Sequence, residues 1–223
     1  IQTALICLEN THNAGGGTIY PLATIQAIRT MANAHGIPMH LDGARLFNAV
    51  VASGVSAAEY ARHFETVTFC LSKGLGAPAG ALIATDDPGV MERLRRFRRM
   101  YGGAMRQSGI LAAAGLYALE HHRLRLSEDH TNAKRLATRL QQIPAVTIDP
   151  SLVETNILFF DVHSTKFSIP AFVAALKQEG VLINAVGGST CRAVTHLDVS
   201  AEDIEQAADH VARLLNDEAG ASH

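Results

Sequence analysis

The chain has 223 residues, 48% of them hydrophobic and 18% charged, with a formal net charge of −2. That is core enough for one large or two modest domains, and it argues against disorder. It gives no general drive toward nucleic acid or an anionic membrane; no apolar run is long enough to span a bilayer, and no signal peptide is visible. Taken in order, residues 4–9 form a short apolar run ended by the glycine-bearing loop 10–18, and read as a buried strand. Pro21 suits a first helical position, and Ile25, Ile28 and Met31 follow at helical spacing up to a cap at Gly36. A strand over 37–41 ends at Asp42-Gly43. Helices over 45–52 and 57–63 lead into a strand over 66–71. After the stretch LSKGLGAPAG (71–80) come a strand over 79–85, a turn at 86–89, and helices over 90–100, 107–121 and 127–142. From Pro144 the pattern changes to strands over 146–149, 156–162, 181–184 and 192–197, with helices over 170–179 and 201–216.

The first part alternates strand and helix, which predicts an α/β unit with a mainly parallel sheet covered on both faces. The second reads as a smaller α+β unit. The expected domains are 1–143 and 144–223. The chain opens at Ile1 and enters a strand-like run almost at once, so a missing N-terminal part of the first domain is expected. Cys7, Cys70 and Cys191 each lie in or beside an apolar run. They read as reduced core thiols, which points to the cytoplasm.

In a parallel sheet, ligands bind beyond the carboxyl ends of the strands. Asp42 ends one predicted strand and Lys73 follows another, so the topology lets both face one crevice. Of the four lysines, Lys134, Lys166 and Lys177 sit in polar surroundings, whereas Lys73 follows an apolar strand and is flanked by glycines. A lysine in a dry crevice loses charge stabilisation, and its neutral amine condenses with a carbonyl carbon. The plainer reading is a lysine reaching solvent from a strand-end loop. Phosphate-loop readings fail, because Ser72 precedes the lysine and the glycines at 74, 76 and 80 miss the dinucleotide spacing. Asp42, beside Gly43 and Ala44, suits a carboxylate partner for the ring nitrogen of pyridoxal phosphate; alone it reads equally well as a helix cap. The arginines of RLRRFRRM (93–100) flank a Leu94/Phe97 stripe and read as a solvated helix face, not a nucleic-acid surface. His121 and His122 are adjacent and no paired-ligand spacing occurs, so no catalytic metal is expected. No G-x-S-x-G elbow is present.

The runs LENTHN (8–13), HLDGARLFNA, FCLSKGLGAPAGALIA, GGAMRQSGILAAAGLYAL and RAVTHLDVS resemble the threonine aldolase family over nearly the whole chain. The resemblance implies the aspartate-aminotransferase-like fold (fold type I) and pyridoxal 5'-phosphate as cofactor. It implies retro-aldol cleavage of L-threonine, L-allo-threonine and related β-hydroxy-α-amino acids to glycine and an aldehyde. It assigns Lys73 to the covalent link with the cofactor, Asp42 to the ring nitrogen, Arg45 to the ring's phenolic oxygen and the substrate, and Arg192 to the substrate carboxylate. Ser72 lies beside the cofactor, and Arg99 and Arg106 fall where basic residues reach its phosphate across a subunit interface. At position 99 the family often has lysine. Asn10 and His12 are secondary candidates; for His12 a loop-ordering hydrogen bond is the plainer reading. The resemblance further implies that the family's N-terminal segment, which carries the cofactor phosphate turn and a ring-stacking histidine and would hold the expected base, is missing. A homo-oligomer, a dimer of dimers sharing active sites, is implied. The alternatives are another reaction on the same cofactor, β-elimination or racemisation, or a truncated chain without activity.

Overall fold

A computed structural model describes residues 2–216. Its first sheet holds β1 (Ile6–Glu9), β2 (Met39–Asp42), β3 (Thr66–Cys70) and β4 (Ala81–Ala84) side by side in that order. The first three strands are parallel and β4 is antiparallel to β3. The connections explain the directions. A parallel return needs a long crossover, which α1 (Leu22–Ala34) supplies between β1 and β2, and α2 (Leu46–Ser53) with α3 (Ala57–Ala61) between β2 and β3. Between β3 and β4 lies only the bent stretch 71–80, so the chain comes back antiparallel.

Alternation along β2 buries Met39 and Leu41 completely and leaves Asp42 exposed. These two residues join Ile25, Ala32, Leu46 and Tyr60 in one core. Pro21 caps α1 from outside, one position earlier than expected. The acidic run 86–89, read as a turn, is the start of a helix. Asp87 accepts hydrogen bonds from the backbone N–H groups of Gly89 (2.7 Å) and Val90 (3.0 Å), and α4 (Pro88–Met100) follows with proline in its first turn. The helix expected over 107–121 divides into α5 (Gly109–Tyr117) and a π-helical turn, Ala118–His122.

Two compact units emerge, one of residues 2–12 and 19–126, the other of 13–18 and 127–216. The sequence placed the change at 143/144. Contacts place it at Leu126/Ser127, because α6 (Leu126–Leu140) turns Ala133, Leu136, Ala137 and Leu140 into the second unit's core. That core also holds Phe172 and Leu176 of α7 (Ile169–Gln178) and Ile204, Ala208, Val211 and Leu215 of α8 (Ala201–Asn216). The helices cover an antiparallel sheet of β5 (Val146–Thr147), β6 (Ile157–Val162), β7 (Asn184–Gly187) and β8 (Thr190–Val194), ordered β5-β6-β8-β7. The strand expected over 181–184 is displaced: Val181 and Ile183 pack on the core, while the ladder with β8 begins at Asn184. Residues 13–18 join this unit through the Thr155 hydroxyl, which donates to the Gly17 carbonyl at 2.6 Å. A Cβ on Gly17 would lie 2.5 Å from that same hydroxyl oxygen, and its φ of +75° is one that only glycine adopts freely.

The three thiols are free but not all core. Cys191 is buried, and burial, reinforced by the nearby Asp161 carboxylate, pushes its pKa up to about 11. Cys7 is exposed on the edge strand β1 and Cys70 is half-buried, so the reading of three core thiols holds only for Cys191. No helix among the described residues is long and apolar enough to cross a membrane.

Candidate functional site

Asp42 and Lys73 both follow from the carboxyl ends of neighbouring parallel strands. Asp42 is the last residue of β2 and stands in register with Glu9 of β1 and Thr68 of β3. One of its carboxylate oxygens, Oδ1, accepts from the Ala44 N–H at 3.0 Å, which orients the carboxylate; Oδ2 has no hydrogen-bond partner among the described residues. The turn after Asp42 is tight. Gly43 donates its N–H to the Thr68 carbonyl at 2.8 Å, and a Cβ at Gly43 would fall 2.5 Å from that oxygen. Only glycine lets β2 end this close to β3.

Lys73 rides on a rigid turn. The Leu71 N–H donates to the Gly80 carbonyl (2.9 Å), Gly76 to Lys73 (2.8 Å) and Ala77 to Leu71 (3.0 Å). Leu71 and Leu75 are buried, and a Cβ on Gly74 would meet Leu126 at 2.9 Å. His122, in the π-helical turn, donates from Nδ1 to the Leu75 carbonyl at 2.7 Å. Nothing in the sequence singled out that contact. The Lys73 ammonium itself is exposed, with no ion pair or hydrogen bond among the described residues. The expected dry crevice is not formed by these residues: Leu71, Gly74 and Leu75 are buried, while Lys73 and Gly76 are exposed. Ser72 is likewise exposed.

Arg45 begins α2, half-buried. Asn10 is fully buried; its Oδ1 accepts from the Tyr20 N–H at 3.3 Å and its own N–H donates to the Asp42 carbonyl at 2.9 Å, so it ties loop to strand end. His12 lies 3.7 Å from the Glu9 carboxylate on a side chain 45% exposed. Arg99 is exposed on α4 in an open groove with Glu92, Arg93, Arg96 and Met100, and Arg106 is exposed beyond that helix. Among the described residues, no three His, Cys, Asp or Glu side chains gather as a metal site.

In the second unit, Arg192 stands on β8 between Cys191 and Ala193, which face the core. Its Nη2 donates to the Asn13 side-chain carbonyl at 2.7 Å, while its Nε is buried without a partner. Burial holds the guanidinium pKa below its usual value.

Residues 1–164 match the family described as Beta-eliminating lyase. The low specificity L-threonine aldolase of Escherichia coli (strain K12) is 42% identical over 209 residues, 94% of this chain and 60% of that protein. The low-specificity L-threonine aldolase 1 of Arabidopsis thaliana is 37% identical over 204 residues, 91% of this chain and 57% of that protein. The chain thus spans about 60% of the length of the curated relatives it matches. Among solved structures, a Leishmania major threonine aldolase superposes with a TM-score of 0.73 at 18% identity, over 95% of this chain and 61% of that one. A transaminase from directed evolution by ancestral reconstruction superposes with a TM-score of 0.64 at 17% identity, over 99% and 52%. The fold is therefore the fold type I arrangement of aspartate-aminotransferase-like proteins, as the sequence resemblance implied. With the family match running through the whole first sheet and on into the second unit, the chain belongs to the beta-eliminating lyase family.

Proposed function

We propose that the chain takes part in retro-aldol cleavage of L-threonine, L-allo-threonine and related β-hydroxy-α-amino acids, giving glycine and an aldehyde, with pyridoxal 5'-phosphate as cofactor. The similarity to proteins named low-specificity L-threonine aldolases supports the reaction. One observation of the chain itself carries it: a lysine amine and a carboxylate oxygen, both without protein partners among the described residues, follow the carboxyl ends of adjacent parallel strands. That donor set fits a group with an aldehyde carbon and a basic ring nitrogen.

When bound, the cofactor supplies an electron sink for the pair released as Cα–Cβ breaks. Lys73 Nζ would hold it covalently. Asp42 Oδ2 keeps the proton on the ring nitrogen, and the Ala44 N–H on Oδ1 fixes the carboxylate for that task. Arg45 would attend the phenolic oxygen, Ser72 would lie alongside, and Arg99 and Arg106 would serve the phosphate. Arg192 takes the substrate carboxylate, two donors to two oxygens. By resemblance, the protein works as a cytoplasmic homo-oligomer whose subunits share sites.

The test is product analysis with threonine and the cofactor-loaded protein. Glycine and acetaldehyde in equal amounts are expected, and Asp42→Asn lowers turnover at least about 100-fold while cofactor absorbance persists. Release of a keto acid or of D-threonine instead would assign β-elimination or racemisation, and wild-type turnover in Asp42→Asn would remove the role given to that carboxylate.

A further inference from the structure

A guanidinium that is to hold a carboxylate must be aimed without being neutralised. Arg192 meets both conditions through an unusual partner. Its five donors lie in one plane, so fixing one nitrogen fixes the direction of the rest. Nη2 is fixed by the side-chain carbonyl of Asn13, 179 residues away in sequence. No carboxylate among the described residues pairs with Arg192, and Nε is left buried without a partner. Buried donors are normally satisfied, so an unpaired guanidinium nitrogen marks a place where an acceptor belongs. The aiming group is itself anchored. Asn13 opens the segment 13–18, the Gly16 N–H donates to the Asn13 carbonyl at 3.2 Å, and Thr155 ties the segment down at Gly17. On the opposite side, β8 is locked into the sheet, with Arg192 in register with Phe159 of β6 and Asn184 of β7.

We infer that Asn13 is a positioning residue for substrate carboxylate binding: its amide oxygen orients the Arg192 guanidinium while leaving that guanidinium's full positive charge for the ligand. The inference rests on the reading of Arg192 as the carboxylate-binding side chain. The choice of amide over acid is the specific point. Aspartate at this position would keep the geometry and supply the counter-charge that the substrate carboxylate should bring, so it would compete with the substrate. Alanine would free the guanidinium to swing but leave it charged.

The experiment measures glycine binding to the cofactor-loaded protein by calorimetry and follows the Arg192 Nε–H resonance by NMR, alongside kcat and KM for threonine. In the wild type, glycine shifts the Nε–H signal. Asn13→Asp is expected to weaken glycine binding and raise KM about tenfold or more, the scale of one charge-assisted contact, with the cofactor spectrum and melting temperature unchanged. Asn13→Ala should weaken binding less than Asn13→Asp. A purely structural asparagine would instead show affinity falling in step with melting temperature in both variants, with alanine at least as harmful as aspartate, and that ranking overturns the inference. So does wild-type glycine affinity in Asn13→Asp. Arg192→Ala separates the two levels. If it leaves glycine affinity unchanged, the reading of Arg192 fails and the inference with it. If it abolishes binding while Asn13→Asp does not weaken it, Arg192 stands and only the role of Asn13 falls.

Discussion

At 8% exposure, His130 on α6 has little water with which to stabilise a positive ring. Burial, helped by the Lys134 charge, brings its pKa from 6.5 down to about 4. The unfolded ring takes up a proton near pH 6.5 and the folded one only near 4. Its contribution to stability is therefore complete above pH 6.5 and is lost as pH falls through that window. The full loss is about 2 kcal/mol, discounted for the part of the ring that stays hydrated. Thermal unfolding followed from pH 7 to pH 4 should show His130→Gln losing less melting temperature than the wild type; parallel curves would contradict the assignment. At this same scale the sequence was informative where chemistry and context coincide. Lys73 and Asp42 stand out as polar groups at the ends of apolar strands. Asn13 and His122 did not, because each acts through a partner brought near only by the fold: Arg192 across 179 residues, and the Leu75 carbonyl across 47. An asparagine in a glycine-rich loop, or one of two adjacent histidines, carries no local sign of such a partner.

Strand ends and turns set the geometry of the candidate site. β2 stops at Asp42 because Gly43 folds against β3, its N–H on the Thr68 carbonyl. Since the obstructing atom is backbone, a side chain at Gly43 cannot be relieved by a rotamer change. Gly43→Ala is expected to destabilise the protein by about 2 kcal/mol or more and to reduce cofactor affinity with it, read by denaturant unfolding and by titration of cofactor absorbance. Unchanged stability in that variant would mean that the turn is more pliable than its geometry implies. Most elements were legible from apolar periodicity: the first three strands and the eight α-helices among the described residues fall near their expected places. The misses have physical causes. Asp87 and Pro88 suit a turn and a helix start equally, and here the two N–H groups captured by the carboxylate decide for the helix. The apolar residues Val181 and Ile183 signal burial, which they have, but burial alone does not fix where a ladder begins.

Taken whole, the chain is two units, and the short segment 13–18, set within the first unit's sequence, lies with the second. Composition cannot show this, because a six-residue loop of small residues and glycines looks the same wherever it packs. Nor does amphipathicity tell which sheet a helix serves, and α6 accordingly moved the boundary from 143/144 to Leu126/Ser127. The fold class itself was legible, since alternating strands and helices with one short connection leave few arrangements. Its purpose in this account is to bring one amine and one carboxylate to neighbouring strand ends. The most direct measurement of that claim is borohydride reduction of the cofactor-loaded protein followed by peptide mass mapping. A single reduced pyridoxyl group on Lys73 is expected; the group on Lys134, Lys166 or Lys177, with Lys73 unmodified, would contradict that placement.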